Sequence, residues 1–289
     1  MTNPKKPTRT GRQKNRAPGV AQGIGSLTLS QAITLRLPRL HEALQLCEDA
    51  QSAIPRRPGA GVADTFVKAF FFKATRTLKA ICLLYAQGLS EEAQSLVRIL
   101  FELQVTFSTF VVMLGRDPDD ACRRLLDAVA LEKVKQQRAC GFKWLHLVPG
   151  TPTREEHERT EREIRARYSE QDFAALRKNG FSGQSLEGRC ATLDERSGGT
   201  EYTDTYNIIY RNFSRNVHST DLTEALMCVD PTAITPRAID LVESRDHVSC
   251  DLVLSIAHEM VRVINREFKL GLKSRLDALR SEESLAHTT

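Results

Sequence analysis

No two cysteines in this chain stand as C-x-x-C. The seven, at Cys47, Cys82, Cys122, Cys140, Cys190, Cys228 and Cys250, are widely scattered. An odd count without short spacings argues against a disulfide framework or a zinc knuckle and fits reduced thiols in a cytosol. No apolar run approaches the roughly 18 residues that a membrane span needs, and the cationic start is not followed by the apolar core of a signal peptide. Pro4, Pro7 and Pro18 spoil the amphipathic helix of a transit peptide. The expectation is a soluble, cytoplasmic protein with no membrane contact. Gly23-x-Gly25 and Gly59-x-Gly61 lack the strand and third glycine of a dinucleotide fold, and there is no Walker loop. His258-Glu259-Met260 is not the zinc-protease H-E-x-x-H, because position 262 is Arg. Ser214, Ser219, His218 and Asp221 lie close together without a G-x-S-x-G elbow. No cluster of His, Cys and carboxylates has metal-ligand spacing, so neither a metal nor a cofactor is expected.

Alternating strand patterns and internal repeats are also missing. Leu, Ala, Arg and Glu dominate, and Thr and Val fall mostly within helix-like runs, which predicts an all-α protein. The formal charge is +5. Lys5, Lys6, Arg9, Arg12, Lys14 and Arg16 supply +6 before position 20 with no acid among them, so +5 less +6 leaves −1 for the rest. Residues 1–26 read as a disordered basic tail able to touch nucleic-acid phosphates or simply to keep the chain in solution. Residues 27–275 read as a single all-α domain, a bundle of about seven to ten helices, and 276–289 as a flexible C-terminal tail.

The first helix is expected from near Ser30, bent or delayed by Pro38. A loop follows over Ile54 to Gly61, then a second helix from Asp64 to Gln87 that Gly88 ends. Ser90 is placed as the cap of a third helix, Ser90 to Leu114, apolar nearly all round and therefore central. Asp117-Pro118 opens a fourth helix running to about Gly141. Thr153 and Glu156 form a capping box ahead of a solvated charged helix. Asn179 to Thr200 reads as a loop holding a short helix around Ser185 to Asp194. A last large element, one helix or two, begins at Thr235-Pro236 and runs to about Phe268.

Tyr206, Tyr210, Ser214 and His218 recur every four residues and form one ridge of a helix entered from Thr203 or Asp204. Arg211 precedes His218 by seven positions, two turns, so a guanidinium and an imidazole point the same way. Such a pair could exchange a proton near neutrality and hold a phosphate. Equally, Arg211 could lie in solvent while His218 ends the helix against its dipole. On the third helix Ser95, Arg98, Glu102, Thr106 and Thr109 form a polar stripe. It is either a solvent face or half of a two-helix site whose Arg98 and Glu102 face Tyr210, Ser214 and His218.

Arg98-Ile-Leu-Phe-Glu102 followed by Tyr210-x-x-x-Ser214-x-x-x-His218 resembles an uncharacterised family of all-helical bacterial proteins, over roughly Asp64 to Asn265. Arg211-Asn212, with six residues between the arginine and His218, is similar to the R-x(4–6)-H signature of the HEPN superfamily. That resemblance implies a HEPN-like helical core that dimerises and a metal-independent endoribonuclease, often a toxin or phage-defence effector with a cognate antitoxin or defence partner. His218 would be the general base or acid, Arg211 the phosphate and transition-state ligand and Asn212 an orienting group, with Arg98, Glu102, Tyr210 and Ser214 in support. Arg215 is a second arginine at a spacing the signature does not use. The alternative is a non-catalytic helical module that binds a nucleotide or a partner protein.

Overall fold

The central element is the third helix, around which the others are arranged. A computed structural model describes residues 30–55, 61–139, 153–212 and 236–286, and among these it has ten helices and no strand. They are α1 (Gln31–Ala53), α2 (Val62–Ala86), α3 (Ser90–Leu114), α4 (Pro118–Ala139), α5 (Arg154–Arg165), α6 (Glu170–Asn179), α7 (Leu186–Ser197), α8 (Glu201–Asn212), α9 (Pro236–Phe268) and α10 (Lys273–Ala286). α3 packs on α2, α4, α7, α8 and α9, while α1 lies across α2 and α9. Val97, Leu100, Phe101, Val105, Phe107 and Phe110 are essentially inaccessible to solvent. The apolar stretch of α3 is long enough to cross a membrane by length and composition, but it supplies the core. Phe110 meets Phe66 edge-on at 5.9 Å, Phe70 at 5.6 Å and Phe181 at 6.1 Å, joining α2, α3 and the turn after α6.

The helix ends explain most of the boundaries. Ser30 accepts a hydrogen bond from the Ile33 amide, and Glu243 of α9 accepts from the amides of Gln31 and Ala32, both at 2.9 Å. This cross-helix carboxylate satisfies free amides at the positive end of α1. α1 therefore starts at Gln31 and runs on through Pro38 without the delay expected there. Gly88, with φ of 74°, turns the chain out of α2, and the Leu89 amide reaches back to Leu84. Leu89, not Ser90, occupies the N-cap of α3. Ser90 is the first helical residue, and its hydroxyl donates instead to Asp246 of α9 at 2.6 Å. Thr153 and Glu156 form the expected capping box, and the charged α5 buries only His157 and Ile164.

Two helices lie where the sequence reading placed none. α6 lies where no helix was predicted, and its Phe173 and Leu176 join Leu131 and Ile164 in a small second core beneath α4 and α5. Leu276 and Leu279 of α10 pack into the main core, so residues 273–286 form a helix where a tail from 276 onward was expected. Leu272 donates its amide to Asn265 at 2.9 Å, closing the turn that brings α10 back. α9 is one helix of 33 residues. The basic tail, Cys140, Cys228 and residues 213–235 lie outside the described residues. The five other cysteines are buried, and burial pushes the thiols of Cys47, Cys82, Cys190 and Cys250 up to about 12.

Asp246 is 1% exposed and accepts from Ser90 and, at 2.9 Å, from Gln94. Burial raises its pKa despite those bonds and the nearby Arg245. The folded protein thus holds this proton more tightly than the unfolded chain does. Its contribution to stability is largest below the unfolded value and is lost as pH rises through the folded one. Asp246→Asn keeps an acceptor for Ser90 and Gln94 and removes the titration. Urea unfolding of both proteins at a series of pH values should show the wild type gaining on the variant as pH falls from neutral toward 3.8. A difference that does not change with pH would contradict the assignment.

Candidate functional site

Arg98, Glu102 and Thr106 succeed one another at single-turn spacing along α3, on the side that faces α7 and α8. Arg98 Nε donates to Glu102 Oε1 at 3.0 Å, and an Arg98 terminal nitrogen donates to the Tyr210 hydroxyl at 3.3 Å. That hydroxyl donates in turn to Glu102 Oε1 at 2.9 Å. The Arg98 guanidinium also lies over the Tyr210 ring, 4.4 Å from its centroid. The Arg98 and Glu102 side chains are 21% and 41% exposed, so the stripe is neither sealed in the core nor a free solvent face. α8 partly covers it.

Charge and burial act together in this cluster. Burial opposes the charge on Arg98, but the bond to Glu102 and the nearness of Tyr210 outweigh it and raise its pKa. Burial, reinforced by the bond to Glu102, pushes the Tyr210 phenol up to about 12. Tyr210 is therefore a neutral donor at any physiological pH, and Glu102 is held between a cation and a hydroxyl.

α8 runs antiparallel to α3, with Tyr202 near its start donating to Ser108 and Tyr210 near its end meeting Arg98 and Glu102. Between them Tyr206 stacks against Tyr210 at 4.5 Å between centroids. The tyrosine ridge thus begins one turn earlier than the sequence reading placed it. The reason lies in α7: Asp194, 6% exposed, accepts from the amides of Tyr202 and Thr203 at 2.9 and 2.8 Å. A carboxylate from the preceding helix caps α8, so the helix starts at Glu201 rather than at Thr203 or Asp204.

Sequence reasoning missed Arg189. It reaches from α7 to donate a terminal N–H to the Thr106 hydroxyl at 2.9 Å, while its Nε is shielded from solvent and without a hydrogen-bond partner. Burial lowers its pKa. Nothing local marks it, because its neighbours Gly188 and Cys190 carry no functional pattern.

The predicted groups stand as follows. Arg98, Glu102 and Tyr210 are brought together. Arg211 and Asn212 are the last two residues of α8, with side chains outside the described set. Ser214, Arg215, His218 and the tail cations Lys5, Lys6, Arg9, Arg12, Lys14 and Arg16 also lie outside the described residues. Among those described, no group of three or more His, Cys, Asp and Glu side chains is placed to hold a metal. A cleft of about 1230 Å³ opens beyond Ser108 between α3, α7, α8 and α9. Arg262 and Glu259, which line it, neutralise each other through two hydrogen bonds of 2.6 and 2.7 Å.

A double-mutant cycle tests the clamp. Tyr210→Phe should cost about 0.5–1.5 kcal/mol through the lost hydroxyl. Glu102→Gln should cost a similar amount, about 1 kcal/mol, because solvent screens a carboxylate this exposed. In denaturant titrations the double variant should lose less than the sum of the two singles. Strict additivity would show that the groups do not act together.

The fold and the clamp define an all-α protein whose eighth helix is tied to its central helix by an arginine, a glutamate and a tyrosine. A family model described as a family of unknown function (DUF5677) matches residues 64–230, more than half of the chain. The chain belongs to that family. The match covers α2 to α8 with the whole Arg98, Glu102, Arg189 and Tyr210 cluster, and it ends short of the Asn265 that the resemblance implied. No curated protein and no solved structure matches significantly.

Proposed function

We propose that this protein is a metal-independent endoribonuclease of HEPN type, cytoplasmic and homodimeric, in which Arg211 and His218 carry the chemistry. The observation that supports it is the clamp on Tyr210. The residue immediately before Arg211 is fixed to the central helix by two hydrogen bonds and a cation–π contact. A site acts well when its reacting groups grow from a rigid, hydrogen-bonded frame.

In the proposed step His218 takes the proton of a ribose 2′-hydroxyl as its oxygen attacks the adjacent phosphorus. Arg211 offsets the charge gathering on the phosphoryl oxygens. The bond to the 5′-oxygen breaks, and that oxygen takes a proton from water. The products are a 2′,3′-cyclic phosphate and a 5′-hydroxyl, and no redox or metal step is required. A growth-arresting toxin or a phage-defence effector, held in check by a cognate partner, is the cellular role that suits such an activity.

The test is incubation with labelled single-stranded RNA and with DNA of the same sequence, in excess chelator. The RNA should be cut and the DNA, lacking the 2′-hydroxyl, left whole. Stabilisation by nucleotides in thermal shift with both strands intact would favour the alternative, a binding module without turnover.

A further inference from the structure

Gln104 is 7% exposed and lines the cleft between α3, α7, α8 and α9, yet its side-chain amide has no hydrogen-bond partner among the described residues. Gln94, the other glutamine buried on α3, donates to Asp246 at 2.9 Å. An amide withdrawn from bulk water without a partner is unfavourable. The Gln104 amide is not sealed beneath other side chains, so it meets the interior of the cleft. One turn further along α3, Ser108 accepts from the Tyr202 hydroxyl at 3.4 Å and keeps its own proton to donate. Burial pushes the Tyr202 phenol up to about 12, so it too is neutral. Around this short polar strip the floor is apolar, with Phe101, Leu193 and Ile256 all buried. The charges at the rim cancel. Among the described residues three arginines and four carboxylates line the cleft, and Arg262 and Arg266 are held by Glu259 and Glu267.

We infer that this cleft binds an uncharged planar molecule that sets a hydrogen-bond donor beside an acceptor, the edge that a nucleobase or a carboxamide carries, against Gln104. The Gln104 carbonyl accepts from the donor while its NH2 group donates to the acceptor, as glutamine does with N6 and N7 of adenine. The flat faces of such a molecule suit the apolar floor, and Ser108 donates to a further acceptor. Apolar walls with a few convergent polar groups are the usual make-up of a ligand site. With its arginines countered by carboxylates, the rim has no surplus positive charge to hold a phosphate. The cleft, about 1230 Å³, is larger than the ~300–1,000 Å³ of most such sites, so the ligand lies on its floor and the charged rim stays in water. Arg98, Glu102, Arg189 and Tyr210 do not line it. The inference therefore does not rest on the ribonuclease reading. It makes Gln104 a binding residue and not a catalytic one.

Isothermal titration of the full-length protein with adenosine, guanosine, cytidine, uridine and nicotinamide, with no RNA present, tests it. At least one should bind, and Gln104→Met should weaken that ligand about ten-fold, the discrimination expected of a bidentate pair. Binding by nucleosides alone assigns a nucleobase, and binding by nicotinamide alone assigns a carboxamide. The 5′-monophosphate of a bound nucleoside should bind no more tightly than the nucleoside itself. Methionine matches glutamine in length and gives up no bond, so Gln104→Met should melt no lower than the wild type without ligand. Gln104→Leu, a shorter apolar side chain, provides the same comparison if the methionine variant fails to fold. No binding by any of the five, or equal affinity with and without Gln104, overturns the inference. A monophosphate bound at least ten-fold more tightly than its nucleoside also overturns it, because the site would then be one for anions. Nucleoside binding that depends on Gln104, in a protein that leaves RNA whole, keeps this site and removes the nuclease. Cleaved RNA with no binding of the five compounds does the reverse.

Discussion

His218→Ala is expected to slow RNA cleavage by about 10²–10⁴-fold, the range that a positioned general base or acid supplies. The melting temperature should stay within a degree or two of the wild type. Tyr210, the residue before Arg211, is locked to Arg98 and Glu102, and His218 follows Arg211 by seven positions in the sequence. Arg211→Ala should cause a comparable loss and Arg211→Lys a smaller one, since an ammonium keeps the charge but not the fork. Single-turnover cleavage reads both losses. Cleavage by His218→Ala at the wild-type rate would remove the imidazole from the mechanism.

Phe110→Ala is expected to cost the fold about 3–5 kcal/mol, a large share of the roughly 5–15 kcal/mol by which a domain is stable. Phe110 is fully buried and touches three other rings, from α2 and from the turn after α6. Its removal leaves a cavity bordered by helices that cannot close on it independently, in addition to the lost transfer energy. Phe72, nearly half exposed on α2, provides the contrast. Phe72→Ala should cost under about 1 kcal/mol. Urea titrations of the two variants would contradict this picture of the core if they gave similar losses.

How much of this was legible depended on whether the signal was local. The apolar density of α2 and α3, the capping box at Thr153 and the Pro at the start of α9 are written within a few residues, and the helices follow them. The facing of Arg98 and Glu102 with Tyr210 could be posed from periodicity alone, but only as one of two readings. Whether a polar stripe meets solvent or another helix depends on packing a hundred residues away. The start of α8 was misplaced because its cap, Asp194, belongs to the preceding helix. Ser90 was misassigned because a buried carboxylate of α9 engages its hydroxyl. α6 and α10 were missed because each is amphipathic on one narrow side, with two buried leucine or phenylalanine residues apiece. Arg189 carries no sequence signal, since its contact with Thr106 joins residues 83 positions apart.

Analysis of the RNA termini produced by the wild-type protein in excess chelator tests the central claim most directly. The account predicts 2′,3′-cyclic phosphate and 5′-hydroxyl ends, which disappear together in His218→Ala. RNA that remains whole, or is cut to 5′-phosphate ends, would contradict it.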